Sequence, residues 1–120
     1  MFVRNKNYEN AIQKVRIDVG TLVGLEKDDE AYVVLKELPT SEMLRLKDAS
    51  DGGESAIMDF FKSVLPKIIT DHNFYETEQK KMTNEAVTEF IFEKLELSSK
   101  VISGYSNAAF FTQMSKREEK

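Results

Sequence analysis

The single histidine of the chain, His72, has the most obvious capacity for chemistry. It follows Asp71, and a carboxylate beside an imidazole could form an acid–base pair or contribute to a metal site. Histidine metal sites need further ligands at helical or turn spacing, and the chain holds no second histidine and no cysteine. The favoured interpretation is therefore structural: a loop histidine that caps a helix end or lies in solvent.

Two acidic or glycine-rich segments have the composition of ligand-binding turns without their spacing. Asp28, Asp29 and Glu30 could gather oxygen atoms around Ca²⁺, but they lack the alternating ligands, central glycine and terminal glutamate of an EF-hand loop. Gly52 and Gly53 precede a predicted helix, yet no Gly-Lys-Ser or Gly-Lys-Thr follows them, as a phosphate-binding loop requires. We therefore expect no catalytic, cofactor-binding or metal-binding residue, and we predict that the chain is not an enzyme.

Composition is that of an ordinary globular protein. The 120 residues are 41% hydrophobic and 32% charged, which suits a single domain with one modest core. The 17 basic and 21 acidic residues give a formal net charge of −4, which argues against nucleic acid as a partner. No apolar stretch has the length of a membrane span or of a secretory leader. We expect a cytoplasmic protein that has no membrane partner.

The elements that must position these residues begin with strands. Val15, Ile17 and Val19 alternate with polar residues, which is typical of a half-buried strand. Residues 31–38 form the strongest strand pattern in the chain because they are rich in β-branched and aromatic side chains. The two segments predict a β-hairpin over about residues 15–38.

Helical periodicity follows over about residues 40–114. Thr40 or Ser41 caps a first short helix that ends near Lys47. Asp51, with a glutamate three residues later, resembles a capping box that starts a second helix. This helix carries one apolar stripe, formed by Ile57, Phe60, Phe61, Val64, Leu65 and Ile68.

Proline and polar residues divide the rest of the helical part. Pro66 predicts that the second helix kinks or ends near Leu65. Residues 71–76 then interrupt the periodicity, and residues 76–82 read as a polar connection. Thr83 or Asn84 caps a third helix, whose stripe is Val87, Phe90, Ile91 and Leu95. After a joint at residues 97–99, a last helix carries Val101, Ile102, Tyr105, Ala108, Ala109 and Met114.

The predicted fold is therefore α+β and mainly α: an N-terminal β-hairpin followed by about four helices packed as a small bundle. It forms a single domain over residues 1–120, of which residues 1–13 and 115–120 are expected to be poorly ordered. Gly104 costs the last helix about 1 kcal/mol relative to alanine, which is tolerable if close packing needs the space.

Aromatic residues concentrate late in the chain, and some fall off the predicted stripes. Phe92 lies off the stripe of the third helix, and Phe110 and Phe111 are adjacent, so both cannot face one core. Packing against the hairpin explains most of these residues, and a partner surface on the last helix is the alternative. The predicted partner-binding residues are Phe92, Tyr105, Phe110, Phe111 and Met114.

Five runs of the chain carry a family resemblance: residues 20–24, 31–38, 60–69 (Phe-Phe-Lys-Ser-Val-Leu-Pro-Lys-Ile-Ile), 71–75 (Asp-His-Asn-Phe-Tyr) and 83–87 (Thr-Asn-Glu-Ala-Val). In this order they resemble the tail assembly chaperones of long-tailed bacteriophages that infect Gram-positive hosts. The resemblance extends over about residues 15–112 and consists of loose apolar patterns without catalytic residues.

The resemblance implies a non-enzymatic role in virion morphogenesis. Such chaperones coat the tape-measure protein, a long and largely helical polypeptide, keep it soluble, and deliver it to polymerising tail-tube protein. They tend to self-associate and are not retained in the mature virion. Two other hypotheses remain open: a structural head–tail connector or tail-completion protein, and a small enzyme or metal protein that uses Asp71 and His72.

Overall fold

The computed structural model describes residues 11–24 and 30–108, together with Met1 and Val3. Several predictions fall on other parts of the chain. Asp28 and Asp29 of the acidic turn, most of the predicted disordered start, Ala109, and the tail at residues 115–120 lie outside the described residues. The same holds for three of the predicted partner-binding residues, Phe110, Phe111 and Met114.

The predicted hairpin is confirmed. Strands β1 (Lys14–Asp18) and β2 (Tyr32–Lys36) are antiparallel, with Val15 opposite Leu35 and Ile17 opposite Val33. Between them, Gly20–Val23 form a 3₁₀ turn. The turn ends at Gly24, whose φ of 83° lies in the left-handed region that glycine adopts without strain.

A third strand joins the sheet at a place where the sequence predicted no strand. Strand β3 (Ile69–His72) pairs antiparallel with β2, so β2 is central and the order is β1-β2-β3. A small exposed hairpin follows, made of β4 (Tyr75–Thr77) and β5 (Lys80–Lys81). The sequence predicted neither β3 nor this hairpin, which replaces the polar connection expected at residues 76–82, because strands this short leave almost no local periodicity.

The first two helices are longer than predicted. Helix α1 (Thr40–Asp51) extends four residues past Lys47, and Pro39 takes the cap position, so neither predicted cap holds. Asp51 is the last residue of α1, which rules out the predicted capping box. Helix α2 (Glu54–Ile68) begins after Gly53, whose φ is 91°. It runs through Pro66 because the proline lies in the last turn, where the loss of one backbone hydrogen bond costs least.

The last two helices meet earlier than predicted. Helix α3 (Asn84–Ile91) is capped by Thr83, whose Oγ1 accepts a hydrogen bond from the Ala86 N–H at 3.1 Å. Helix α4 (Leu95–Ser106) begins after a short joint at residues 92–94. The predicted joint at residues 97–99 was wrong, and those residues form part of the first turns of α4.

One hydrophobic core joins the sheet and the helices. Helix α2 packs against α1, α3 and β2, and α4 packs against α3 and β1. The inward side chains of β2, Val33 and Leu35, are fully buried, while the outward Tyr32 and Val34 are half-buried. The helices therefore cover one face of the sheet, and the fold is the predicted mixture of an N-terminal sheet with a mainly helical remainder.

Candidate functional site

His72 is a buried strand residue and not a loop residue exposed to solvent. Its side chain is 4% exposed, and its Nδ1 accepts a hydrogen bond from the Phe74 N–H at 3.1 Å. This bond assigns the proton of the neutral ring to Nε2. Burial lowers the pKa of His72, and the positive charge of Lys81 lowers it further, against smaller upward effects of the Met82 backbone and Asp71. A neutral imidazole that accepts a hydrogen bond from a backbone N–H has a structural role.

Asp71 is not a partner for this imidazole. Its Oδ1 accepts the His72 backbone N–H at 2.8 Å and lies 3.3 Å from Nζ of Lys81. The backbone hydrogen bond first, and Lys81 second, lower the pKa of the Asp71 carboxyl. The carboxylate therefore points along the strand surface, and the two residues are not arranged as an acid–base pair.

Tyr105 belongs to the core, contrary to the expectation that it contacts a partner. Its side chain is 0% exposed, and its hydroxyl donates to the Lys36 carbonyl oxygen at 2.9 Å. The ring meets Phe61 edge to face, with centroids 6.1 Å apart. Burial, with a smaller effect of Glu37, raises the pKa of Tyr105. The residue links α4 to the central strand, and it is too deeply buried to contact a partner.

An apolar groove lies where α3 meets α4. It has a volume of about 400 Å³, and its apolar floor is formed by Leu22 and Val23 of the 3₁₀ turn together with Phe90 and Leu97. Gly24, Glu93 and Lys94 are the other described residues that line it. Clefts of this size bind ligands or partner side chains in many proteins.

Phe90 is held in place by a chain of aromatic contacts that starts at His72. The rings of His72 and Phe74 meet edge to face at 6.2 Å, and those of Phe74 and Phe90 meet edge to face at 5.7 Å. Such pairs contribute about 0.5–1.5 kcal/mol each beyond the burial of their area. These contacts connect Phe90, in the groove floor, to His72 at the buried end of β3.

Two further apolar residues lie close to the groove in the chain. Leu95, the first residue of α4, is 71% exposed, although the sequence predicted it in the core stripe of the third helix. Phe92 packs against the core and is half-buried at the same joint, and its role in partner binding stays a prediction. Leu95 left the stripe because α3 ends at Ile91.

The groove residues were missed because their signal is weak. Leu22 and Val23 are adjacent apolar residues in a short turn between two glycines, and both pack against the core while remaining half-buried. An apolar pair in so short a turn is the one sequence feature that could have identified them. Two other concave surfaces, beside Pro39 and between α1 and α2, are each lined by several polar or charged side chains and make weaker candidates.

Comparison of the chain with protein-family models, with curated proteins and with solved structures gives no match. Within the described ranges, no group of three or more His, Cys, Asp or Glu side chains is placed to hold a metal ion. Among the helices of the same residues, none combines the length and the apolar content needed to cross a bilayer. The groove at the α3–α4 joint is therefore the candidate site of the described chain.

Proposed function

We propose that this chain is a tail assembly chaperone of a long-tailed bacteriophage. It binds the tape-measure protein in the host cytoplasm, keeps it soluble, helps to recruit tail-tube subunits and is not retained in the finished virion. It has no catalytic step. The proposal rests on the family resemblance of the sequence and on one structural observation, the apolar groove at the joint between α3 and α4.

The groove supports a protein partner because its apolar floor is open. Leu22, Val23 and Phe90 are only half-buried although they pack against the core, so part of their apolar surface faces the groove. Leu95 adds an exposed leucine at the adjacent helix end. A concave surface lined by half-buried apolar side chains can hold apolar side chains of a partner, and an amphipathic helix is one of the common occupants of such grooves.

The role in assembly is tested by co-expression with the tape-measure protein encoded in the same genome. We expect the tape-measure protein to become soluble and to elute with this chain. Leu95→Glu should weaken the complex because it places a charge beside the groove. Leu44→Glu is the matched control: Leu44 is an exposed helical leucine on α1, and it should be replaceable without effect. Unchanged solubility of the tape-measure protein, with no complex, would exclude the proposal.

Mass spectrometry of purified virions separates the chaperone from a structural head–tail connector or tail-completion protein. A chaperone leaves the particle, so we expect the chain to be missing from virions while it is abundant in infected cells. Recovery at the stoichiometry of a structural subunit would replace the chaperone proposal by the structural one.

A further inference from the structure

We propose that the open edge of strand β1 binds a second copy of this chain. The two β1 strands pair antiparallel across a twofold axis, so that two three-stranded sheets become one continuous sheet. The inference goes beyond the proposed function and does not depend on it. It rests on the direction of the backbone groups of β1 and on the order of charges along the strand.

The open side of β1 carries a row of unpaired backbone groups. Just beyond the strand, the Val19 N–H donates to the Ala31 carbonyl oxygen at 2.8 Å, which continues the ladder with β2. Alternate residues of an antiparallel strand direct both backbone groups to the same side. The even-numbered residues Lys14, Arg16 and Asp18 therefore direct theirs away from β2. Among the described residues, no donor or acceptor bonds to these groups.

The other edge of the sheet, β3, is less open. The Ile69 carbonyl oxygen accepts a hydrogen bond from Nδ2 of Asn84 at 3.0 Å. The His72 N–H donates to Oδ1 of Asp71 at 2.8 Å. Backbone groups that are already bonded to side chains are not free to pair with a further strand, whereas an edge with free groups is a template for pairing. The edge at β1 is therefore the one that can take a second copy.

The charges along β1 are complementary to themselves in one register. When two copies pair antiparallel about Arg16, Lys14 of each copy lies opposite Asp18 of the other. Within one chain, Lys14 lies opposite Lys36 of β2, and like charges at that position repel. Lys14 takes no part in the ion pairs of the described residues. A second copy supplies the carboxylate that the neighbouring strand does not.

The centre of this register brings two arginines together, and each is compensated within its own chain. Arg16 pairs with Asp18 at 3.0 Å and with Glu30 at 3.4 Å. Its guanidinium also lies 3.9 Å from the centroid of the Tyr32 ring. The side chain of Asp18 remains 67% exposed, so it can still meet Lys14 of the second copy.

The inner face of β1 gives an independent reason for pairing. Ile17 is 4% exposed. Val15, two residues earlier on the same face, stays half-buried although it packs against the core. In the proposed register, Val15 of each copy lies directly opposite Ile17 of the other. Pairing therefore covers apolar surface that a single chain leaves in contact with water.

Analytical ultracentrifugation of the full chain tests the contact. We expect a reversible dimer that is favoured at high concentration, because a five-residue strand buries a small area. Arg16→Pro should abolish the dimer, since proline removes the outward N–H and leaves the bonds to β2 intact. Arg16→Thr is the matched control: it removes the same charge, keeps the N–H and should still dimerise. Circular dichroism checks that each variant is folded.

Charge exchange tests the register. Lys14→Glu and Asp18→Lys each place like charges opposite one another, so each alone should raise the dissociation constant of the dimer by about tenfold. Mixed together, the two variants should form a heterodimer in which both end pairs are attractive, and added salt should weaken this preference. Lys62→Glu is the control for net charge: Lys62 is exposed on α2, and its replacement should leave the dimer unchanged.

Three outcomes would overturn the inference. A monomer at every concentration reached would mean that the charges of β1 protect the edge against pairing. A dimer that survives Arg16→Pro places the contact elsewhere, and failure of the two charge variants to associate excludes the register. None of these outcomes decides the chaperone role, because co-expression reports on tape-measure solubility whatever the oligomeric state.

Discussion

The two ends of helix α4 differ sharply in how they contact the rest of the molecule. Near its carboxyl end, Tyr105 is fully buried and its hydroxyl is bonded to the central strand. One residue earlier, Gly104 lies so close to Ile17 that a Cβ would stand 3.2 Å from its side chain. At the amino end, Leu95 is largely exposed beside an open groove.

Under the proposed function, this contrast separates stability from recognition along a single helix. The carboxyl half fixes α4 to the sheet, so it contributes the buried area and the long-range hydrogen bond that stabilise the fold. The amino half leaves apolar surface free at a joint between two helices. A substitution at the first end should therefore change the free energy of unfolding, and a substitution at the second should change binding.

Tyr105→Ala should have the largest effect. Removing a fully buried aromatic ring costs about 3–5 kcal/mol, which is a large part of the stability of a domain of this size. Leu95→Ala, at the exposed end, should change the free energy of unfolding by less than about 0.5 kcal/mol. Chemical denaturation of both variants, followed by circular dichroism, measures the difference.

Tyr105→Phe isolates the hydrogen bond to the Lys36 carbonyl. It keeps the ring against Phe61 and should cost about 1 kcal/mol. If Tyr105→Ala and Leu95→Ala destabilise the protein equally, the two ends of α4 do not differ as described.

The same two residues show how far the sequence could predict the site. Periodicity identified the helices and most of the core, because buried stripes repeat locally. It placed Leu95 in a buried stripe, since the boundary between the last two helices was predicted about five residues late. Tyr105 was assigned to a partner surface for another reason, the concentration of aromatic residues late in the chain. Helix ends are set by capping and tertiary packing, which periodicity does not record.

The sequence pattern could not predict contacts between segments that lie far apart in the chain. Strand β3 exists because residues 69–72 pair with β2, more than thirty residues earlier in the chain. The burial of His72 follows from that pairing, so the histidine could not be placed from its polar neighbours. The groove combines a turn near residue 22 with a joint near residue 93, and no local pattern links the two.

The pH dependence of stability should report on His72, the first ring in the chain of contacts that leads to the groove. Burial lowers the pKa of His72 below its ordinary value of 6.5, so folding favours the neutral ring. The resulting stabilisation is present above about pH 6.5 and is lost as the pH falls from there towards the lower folded-state pKa. Protonation also removes the acceptor of the Phe74 N–H. Unfolding by urea should therefore require less denaturant at about pH 5.5 than at about pH 7.5.

His72→Asn is the matched control for this titration. Asparagine does not titrate and keeps an acceptor two residues before the Phe74 N–H. The variant should show a flatter pH profile across the same range. Asp71 does not confuse the measurement, because its pKa is lowered from 3.8 and its contribution is lost only at more acidic pH. An unchanged slope in His72→Asn would exclude the histidine as the source.

Hydrogen exchange can locate the effect of acidification. His72, Phe74 and Phe90 form the ring contacts that support the groove floor. Amide protection near Phe74 should therefore fall before protection in the carboxyl half of α4. Simultaneous loss at both places would mean that the two regions unfold as one unit.

Gly104→Ala should have the smallest effect, because two contributions of opposite sign nearly cancel. Alanine stabilises the interior of a helix by about 1 kcal/mol relative to glycine. The new Cβ, however, would lie 3.2–3.4 Å from three carbon atoms of Ile17, so that side chain must shift by a few tenths of an ångström. Ile17 is itself buried, and the shift costs packing in the core.

Ser103 is exposed on the same helix, so it serves as the reference position for the helix preference of alanine over glycine. The difference in unfolding free energy between Ser103→Ala and Ser103→Gly measures the helix preference alone, and it should be about 1 kcal/mol. Gly104→Ala should give clearly less than that difference, and the shortfall measures the cost of the contact with Ile17. A full gain at Gly104 would mean that Ile17 moves without cost and that the close approach of α4 to β1 does not require glycine.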